Sequence, residues 1–596
     1  MTFYAPFTLP FIIGALAMFL ILGIKWGIWT SRLTKPQKRL LLRNLPTRRF
    51  LAALWESVRE ALLHRRIWRV NPLLGYMHTS LAFGWFLLIA VGWIETLVVI
   101  GPRFVPLQGH VFFKYFATEL PHNPFFEQTM DLLLLFVLSG VALAWMKRMR
   151  ARTMGMRRTT RHVAGDRFAL TALWCVFPLR LAAESLVCAL HGGGGFLTGS
   201  LGRLLAAHLS PETLAPLNEA AWWCYSTALG VFFVALPFSR YMHIFTEIPL
   251  IFLRRCGIRS SEKKGFFDHF QIEACSRCGI CIDPCQLQRT LGADDVQSVY
   301  FLRDRRYRTL RRRVTDHCLM CGRCAERCPV GIDLNTLRLN ARTSLRNIPT
   351  DRRYDYLQGI DRSAGAGRVG YFAGCMTLQT PRTLRAMERI FRAAGEEVWW
   401  ADRDGGVCCG RPLKLSGEVD AARKMMAYNT ELFRRHGIAT LVTSCPICLK
   451  VFREDYRLEG IEVLHHSEYL LRLLQAGRLA LQRGERLFTY HDPCELGRGS
   501  GIYDEPRAVI EAIGTLTEPA ETREEALCCG SSVADLEITD GEQLAIARDV
   551  AASLERTGAE TIVTACPLCK KAIGRGTERP VADLAEVVAE ALTQTA

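Results

Sequence analysis

The 596-residue sequence predicts a multidomain protein in three parts: a five-helix transmembrane bundle, a short helical cysteine-motif domain, and two repeated α/β domains. Three observations carry this. Apolar segments alternate with basic loops over the first third of the chain. Outside that third, eighteen of the 22 cysteines fall between Cys275 and Cys569, all in patterned groups. The second half then repeats its own cysteine pattern at offsets of 119 to 121 residues, the mark of a duplicated domain.

Five apolar stretches, at about 7–29, 73–100, 128–147, 167–190 and 218–241, each approach the ~20 residues that span a bilayer. In the first, the basic flank "KWGIWTSRLTKPQKRLLLR" follows the apolar run and no small-residue cleavage site is evident, so it reads as an anchor and not a cleaved signal. Lys and Arg crowd 31–70, 147–167 and 252–264, whereas 101–127 and 191–217 carry few. The excess of positive charge on the cytoplasmic side then puts the N-terminus outside and everything after the fifth helix in the cytoplasm. The expected location is a cytoplasmic (inner) membrane. The net charge of +17 resides largely in these loops, and we read from it a lipid-facing anchor, with no nucleic-acid partner.

His78, in "GYMHTSLAF", and His243, in "PFSRYMHIF", stand at the same cytoplasmic depth on the second and fifth helices. Two imidazoles so placed can ligate one haem iron from both faces; they can equally be interfacial residues among headgroups. Residues 1–250, and "PFSRYMHI" above all, resemble the haem b-binding gamma subunit of respiratory nitrate reductase. That family uses four histidines for two haems. The resemblance maps the inner pair onto His78 and His243 and the outer pair onto Leu88 and Tyr225, so it implies one haem b retained and a second lost, unless His110 or His191 serves as an unorthodox ligand. Arg180 and Glu184, four residues apart in mid-span, share a helix face. Ionisable groups at that depth are costly. They read either as a quinone, proton or haem-propionate site or as a structural ion pair.

"CSRCGICIDPC" (Cys275, Cys278, Cys281, Cys285) and "CLMCGRCAERCP" (Cys318, Cys321, Cys324, Cys328) both have the spacing C-x2-C-x2-C-x3-C. This is the bacterial two-cluster ferredoxin pattern, in which the fourth cysteine of each run ligates the other cluster. One [4Fe-4S] cluster is expected on Cys275, Cys278, Cys281 and Cys328, and a second on Cys318, Cys321, Cys324 and Cys285. Structural zinc would need one set of four, not two interleaved sets. The run "FLRDRRYRTLRRR" between the motifs is a solvated helix face or a docking site for an acidic partner or anionic leaflet.

In the first repeat, Cys375 follows "YFAG", Cys408 and Cys409 are adjacent and precede Gly410, and Cys445 and Cys448 form "CPIC". In the second, Cys494, Cys528, Cys529, Cys566 and Cys569 recur in the same order, ending in "CPLC". Runs such as "TLVTSCPIC" and "TIVTACPLC" read as a strand ending in cysteine, and the stretches between have helical period. Cysteines are thus expected at strand ends of open α/β sheets, where ligands bind. Five thiols per repeat exceed the four a cubane needs; two ordinary cubanes with a spare thiol each remain the alternative. The pattern resembles the CCG domain of heterodisulfide reductases, which implies that each quintet holds a noncubane iron–sulfur centre at which a disulfide is cleaved.

No flavin or nicotinamide fingerprint is convincing; "HGGGGFLTGS" falls in an external loop and "GRGSG" (497–501) is weak. The full architecture is therefore a five-helix transmembrane haem b bundle (1–255), a two-[4Fe-4S] ferredoxin-like domain (256–365) and CCG domains at 366–480 and 481–596. It resembles fused membrane-bound heterodisulfide-reductase-like iron–sulfur oxidoreductases, including electron-transfer-flavoprotein:menaquinone oxidoreductases. The resemblance implies electron flow from a reduced electron-transfer flavoprotein, or another soluble flavin or thiol redox partner, through the CCG centres, both clusters and haem b to quinone. Two other readings stay open: a disulfide reductase drawing on quinol, and a non-catalytic conduit subunit of a flavin dehydrogenase.

Overall fold

The structure is a computed structural model that describes residues 4–45, 47–101, 105–106, 108–118, 120–260, 265–345, 361–405 and 407–593. It divides into two compact units, Met1–Ile280 with Pro329–Ile332, and Cys281–Cys328 with Asp333–Ala596.

Among the described residues, the first unit contains five helices long and apolar enough to cross a membrane: Pro6–Ser31, Pro72–Ile100, Pro124–Met149, Ala164–His191 and Pro211–Phe238. Local chemistry sets several of their starts. Proline opens the second, third and fifth, where its missing N–H costs nothing. Asn71 and Asn123 cap two of them, their side-chain oxygens accepting from Leu74 N at 3.0 Å and Phe125 N at 3.1 Å. The expected spans agree to within a few residues at most ends, but the fifth does not run through to 241. Pro237 lacks a helical donor, and two 3-10 turns, Leu236–Phe238 and Arg240–Met242, break the helix. Asp166 Oδ1 accepts from Arg240 N at 2.8 Å and holds the break. His243 therefore opens a new helix, His243–Arg255, instead of ending the fifth span.

The first and fifth spans cross backbone to backbone. A Cβ on Gly14 would lie 2.5 Å from Gly230 Cα, and one on Gly230 would lie 2.3 Å from the Pro10 carbonyl oxygen. Small residues permit such approach where lipid offers no hydrophobic drive.

The second unit carries two parallel four-stranded sheets of identical topology. In the first repeat β1 (Val369–Phe372), β2 (Val398–Trp400), β3 (Thr440–Thr443) and β4 (Glu462–His465) lie in the order β2-β1-β3-β4. In the second, β5 (Leu487–His491), β6 (Thr515–Leu516), β7 (Thr561–Thr564) and β8 (Val581–Asp583) lie in the order β6-β5-β7-β8. One apolar core serves both, with Tyr371, Trp400 and Leu470 of the first repeat and Phe488, Tyr490 and Leu584 of the second in a single buried cluster. The α/β expectation and the strand-end position of the cysteines both hold.

The ferredoxin-like segment is fastened to both repeats by Arg342, fully buried on the helix Leu334–Leu345. Its guanidinium donates to the carbonyls of Thr315 (3.1 Å), Asp316 (3.0 Å) and Leu415 (2.9 Å), and also to that of Ala534. Leu415 belongs to the first repeat and Ala534 to the second.

Two stability outcomes are expected. Gly230→Ala should overpack the helix crossing and cost ~1–3 kcal/mol, read as a lowered thermal midpoint in detergent, whereas Gly23→Ala, with nothing within 4 Å of its Cβ, should not. Arg342→Met should strip partners from buried carbonyls and cost ~3 kcal/mol or more, read by chemical denaturation of the whole chain.

Candidate functional site

Each thiol of the repeats is set by an element end. Cys375 lies just past β1, and its approach is held by buried Asp402, which accepts from Ala373 N at 3.0 Å and Gly374 N at 2.7 Å. Cys445 and Cys566 follow β3 and β7 and cap the helices Pro446–Glu454 and Pro567–Gly574, whose first turns carry Cys448 and Cys569. After each vicinal pair the chain turns through a left-handed glycine, Gly410 at φ 83° and Gly530 at φ 82°. A Cβ on Gly530 would meet Ile546 at 2.8 Å.

The structure brings the thiols of each repeat together. In the first, Cys408 and Cys448 both hydrogen-bond Cys409, and Cys445 hydrogen-bonds Cys448. Cys375 stands at the edge of this group and is exposed to solvent. In the second, Cys494, Cys528, Cys529, Cys569 and Cys566 form an unbroken chain of thiol contacts. Contact with Cys408 and Cys528 holds Cys409 and Cys529 below the ordinary range, whereas Cys409 raises Cys408, and Cys321, ahead of Cys494 and Cys529, raises Cys528.

Of the ferredoxin cysteines, Cys285, Cys318, Cys321 and Cys324 line one small cavity of about 30 Å³, together with Cys281 and Arg338. Ser298 Oγ lies 3.1 Å from Cys324 Sγ. Cys275 and Cys278 belong to the first compact unit, Cys281 and Cys328 to the second. Two junctions are not legible in the motifs. Within the second unit, Cys321 is hydrogen-bonded to Cys528 of the second repeat, which with help from the Arg498 charge holds the Cys321 thiol down at about 5 against the opposing effect of burial. Arg498, from the weak "GRGSG" run, donates to the carbonyls of Cys321 (2.7 Å), Glu524 (3.0 Å) and Ala526 (2.9 Å). Its charge also faces Cys494 and Cys528. Within the first unit, Cys278 packs with Leu74 and Met77 of the second span. Lys147 Nζ donates to its carbonyl at 2.9 Å, Thr160 Oγ1 donates to the Arg277 carbonyl at 3.2 Å, and Arg277 pairs with Asp166.

Lys147 also lines a cavity of about 140 Å³ in the first unit, walled by Trp85, Phe177 and Tyr241 and carrying both His78 and His243. His64 and His162 line it as well; neither is singled out by any motif. The His64 ring stacks on His78 at a centroid distance of 5.5 Å. Its Nδ1 lies 2.9 Å from the Leu62 carbonyl, as His243 Nδ1 lies 2.8 Å from that of Arg240. Burial pushes His64 down to about 4 and His162 down to about 2, so both are neutral at physiological pH. The donor set fits a haem. His78 Nε2 is buried without a hydrogen-bond partner, a backbone carbonyl orients a second imidazole as metal sites require, and Lys147, Arg148 and Arg240 offer cations for propionates.

Leu88 and Tyr225, where the resemblance would put an outer haem, are both buried, and Tyr225 packs against Phe113 and Trp222. Arg180 Nε donates to Glu184 Oε1 at 2.9 Å, and both are buried. Arg180 neighbours Tyr225 and is not among the residues lining the His78 cavity. Glu184 instead lines a second cavity, of about 90 Å³, shared with Glu95, His110, Lys114, Asp131 and His191. Both ring nitrogens of His110 are engaged, Nδ1 by Thr96 at 3.1 Å and Nε2 by Lys114 at 3.4 Å.

This arrangement of thiols defines an iron–sulfur oxidoreductase with one dicluster segment and two cysteine-rich domains. The family comparisons agree: the 4Fe-4S dicluster domain matches residues 271–332, and the Cysteine-rich domain (CCG) matches 369–453 and 488–574. The relatives are of the same kind. A subunit of the fumarate reductase (CoM/CoB) of Methanothermobacter marburgensis is 27% identical over 53% of this chain and 70% of its own length. A subunit of the dihydromethanophenazine:CoB–CoM heterodisulfide reductase of Methanosarcina barkeri is 31% identical over 38% of this chain and 59% of its own. EtfAB:quinone oxidoreductase of Syntrophomonas wolfei is 22% identical over 64% of this chain and 69% of its own. The chain thus carries a 4Fe-4S dicluster domain and two cysteine-rich CCG domains, and its relatives are iron–sulfur oxidoreductases that include a heterodisulfide reductase subunit and EtfAB:quinone oxidoreductase.

Arg498→Gln should remove charge-assisted bonds worth ~1.5–3 kcal/mol and a cation from beside the Cys321–Cys528 contact. The expected outcome is a lower denaturation midpoint and a lower reduction potential of the adjoining centres in an EPR redox titration; an unmoved potential would detach Arg498 from them.

Proposed function

We propose that the protein passes electrons from a reduced soluble flavoprotein of the electron-transfer-flavoprotein type to membrane quinone. The observation that carries this is the contact between thiols of separate motifs, Cys321 with Cys528. It joins a ferredoxin site to a CCG site without intervening chain. The two [4Fe-4S] clusters, the CCG iron–sulfur centres and haem b supply one-electron carriage.

The chain's residues order the path. Cys375 is the exposed thiol of the first quintet, whereas Cys528, Cys529, Cys566 and Cys569 are buried. The first repeat is therefore the side that meets the donor, and the second is internal. Arg498 holds the loop of Cys321 against the second repeat. At the membrane, Lys147 ties the backbone of Cys278 to the wall of the cavity in which His78 and His243 would hold haem b. Arg180 and Glu184, with the carboxylates of Glu95 and Asp131 nearby, serve quinone and its protons. The iron–sulfur domains face the cytoplasm. The EtfAB:quinone oxidoreductase relative supports the choice of partner and acceptor.

One observation favours a second reading. An exposed Cys375 also gives a dithiol carrier's disulfide access to the first quintet, and a heterodisulfide reductase is among the relatives. Two electrons from quinol and two protons would then convert the disulfide to two thiols.

Membranes holding the intact protein are titrated with reduced electron-transfer flavoprotein while the haem α-band is followed. Haem reduction within turnover time, lost in His78→Ala with the iron–sulfur content unchanged, is the expected outcome. A silent haem beside a competent partner sinks the quinone reading, and rapid disulfide turnover in its place establishes the second.

A further inference from the structure

The two repeats are superposable in pattern but not in donors. "YFAGC" and "YHDPC" align residue for residue, so Phe372 and His491 are counterparts. They occupy the same place in the sheets: Phe372 ends β1 and pairs with Thr443 of β3, and His491 ends β5 and pairs with Thr564 of β7. In the first repeat the phenyl ring belongs to the apolar cluster that includes Cys409, Cys445 and Cys448, stacked edge-on against Phe452 at 5.0 Å. In the second an imidazole stands beside Cys529 and Cys569.

That imidazole is not an ordinary core histidine. It is only 3% exposed, its Nε2 is buried, and the groups its ring faces are thiols, Cys529 foremost. A buried imidazole aimed at two thiols, where the other repeat has a phenyl ring, calls for a reason. A ring nitrogen of His491, Cys529 Sγ and Cys569 Sγ all lie within 4.8 Å of one another, the one three-donor metal-binding group among the described residues. Nitrogen and sulfur donors at that spacing converge on a common atom between them.

The geometry points to His491 as an iron ligand of the second CCG centre, which thereby takes a mixed imidazole–thiolate donor set while the first takes thiolates alone. This rests on the reading of both quintets as iron–sulfur sites. It makes the repeats chemically distinct: replacing thiolate by neutral imidazole raises the potential of an iron–sulfur centre, as in His-ligated two-iron clusters. The internal second centre is then the electron sink of the pair, and transfer runs inward from the exposed first repeat.

The test is pulsed EPR on the intact, partly reduced protein grown with [15N]histidine and with natural-abundance histidine. One CCG signal is expected to show strong nitrogen coupling that changes with the isotope; the other is expected to show none. His491→Phe, which copies the first repeat, should abolish the coupling and lower the potential of that centre. His491→Gln, which keeps a polar group of similar reach, should abolish the isotope response as well. Two CCG signals without histidine-nitrogen coupling in the unmutated protein overturn the ligand assignment and leave the electron-transfer reading standing. Mössbauer spectra that assign no iron–sulfur centre to the second repeat overturn both.

Discussion

The second compact unit of this protein depends on one buried cation. Arg342 has no solvent exposure, and its fork of donors is filled by main-chain oxygens from the ferredoxin loops and from both repeats. Guanidinium suits this task because its charge stays on at any pH and its five donors diverge in a plane. The consequence is geometric. Thr315 and Asp316, which lead into Cys318, are held at the same point as Leu415 and Ala534, which lie a few residues beyond the two vicinal cysteine pairs. Electron transfer needs centres at fixed short separations, and here fixed separations come from backbone carbonyls converging on a single group. Arg498 repeats the device nearer the thiols, clamping the Cys321 loop to the carbonyls of Glu524 and Ala526.

The membrane part solves a different problem. Imidazoles buried in an apolar bundle are kept neutral, the form in which a histidine can act as a metal ligand. What burial does not supply is orientation, which a neutral ring does not get from charge; main-chain carbonyls provide it for His64 and His243. The helix break at Pro237 is what lets His243 turn its first helical turn toward the cavity. Cations gather at this end because Lys147, Arg148 and Arg240 sit at helix ends near the basic loops.

Much of this is legible in the residues. Regular spacing carries the ferredoxin motifs, the duplicated quintets and the strand-then-cysteine order, because a metal site built from local turns writes its geometry into sequence separation. The five spans are legible because lipid demands length and apolarity. What stays hidden depends on contacts between distant residues. His64 comes from a basic loop with no motif and reaches His78 only through a left-handed backbone at φ 52°. The Cys321–Cys528 contact, Lys147 on the Cys278 carbonyl and the clamp by Arg498 each join residues more than a hundred positions apart, and no periodicity announces them. Hydropathy carries the fifth span past its break, because it continues through a proline that ends the helix. His491 is the exception: lining up the two repeats exposes imidazole against phenyl, but matching the cysteines passes over what fails to match.

That mismatch bears on why the chain carries two CCG domains at all. Two identical centres would share a potential and add only distance. Divergence after duplication can give each a role, and the repeats differ in the exposure of their thiols. The first repeat keeps an exposed thiol, Cys375, at its edge. The second buries four of its five thiols, touches the ferredoxin segment through Cys528, and surrounds that contact with the positive charge of Arg498. Burial disfavours the extra negative charge of a reduced centre, and a nearby cation offsets it; Arg498 stands by the second repeat and Arg411, beside Cys409, by the first, so the two differ in exposure more than in compensation. An outer port that accepts electrons and an inner relay that holds them at a fixed distance from the next thiols is the division of labour that these asymmetries support. The constraint that maintains it is the shared core of Tyr371, Trp400, Phe488 and Tyr490, which prevents either repeat from shifting without the other.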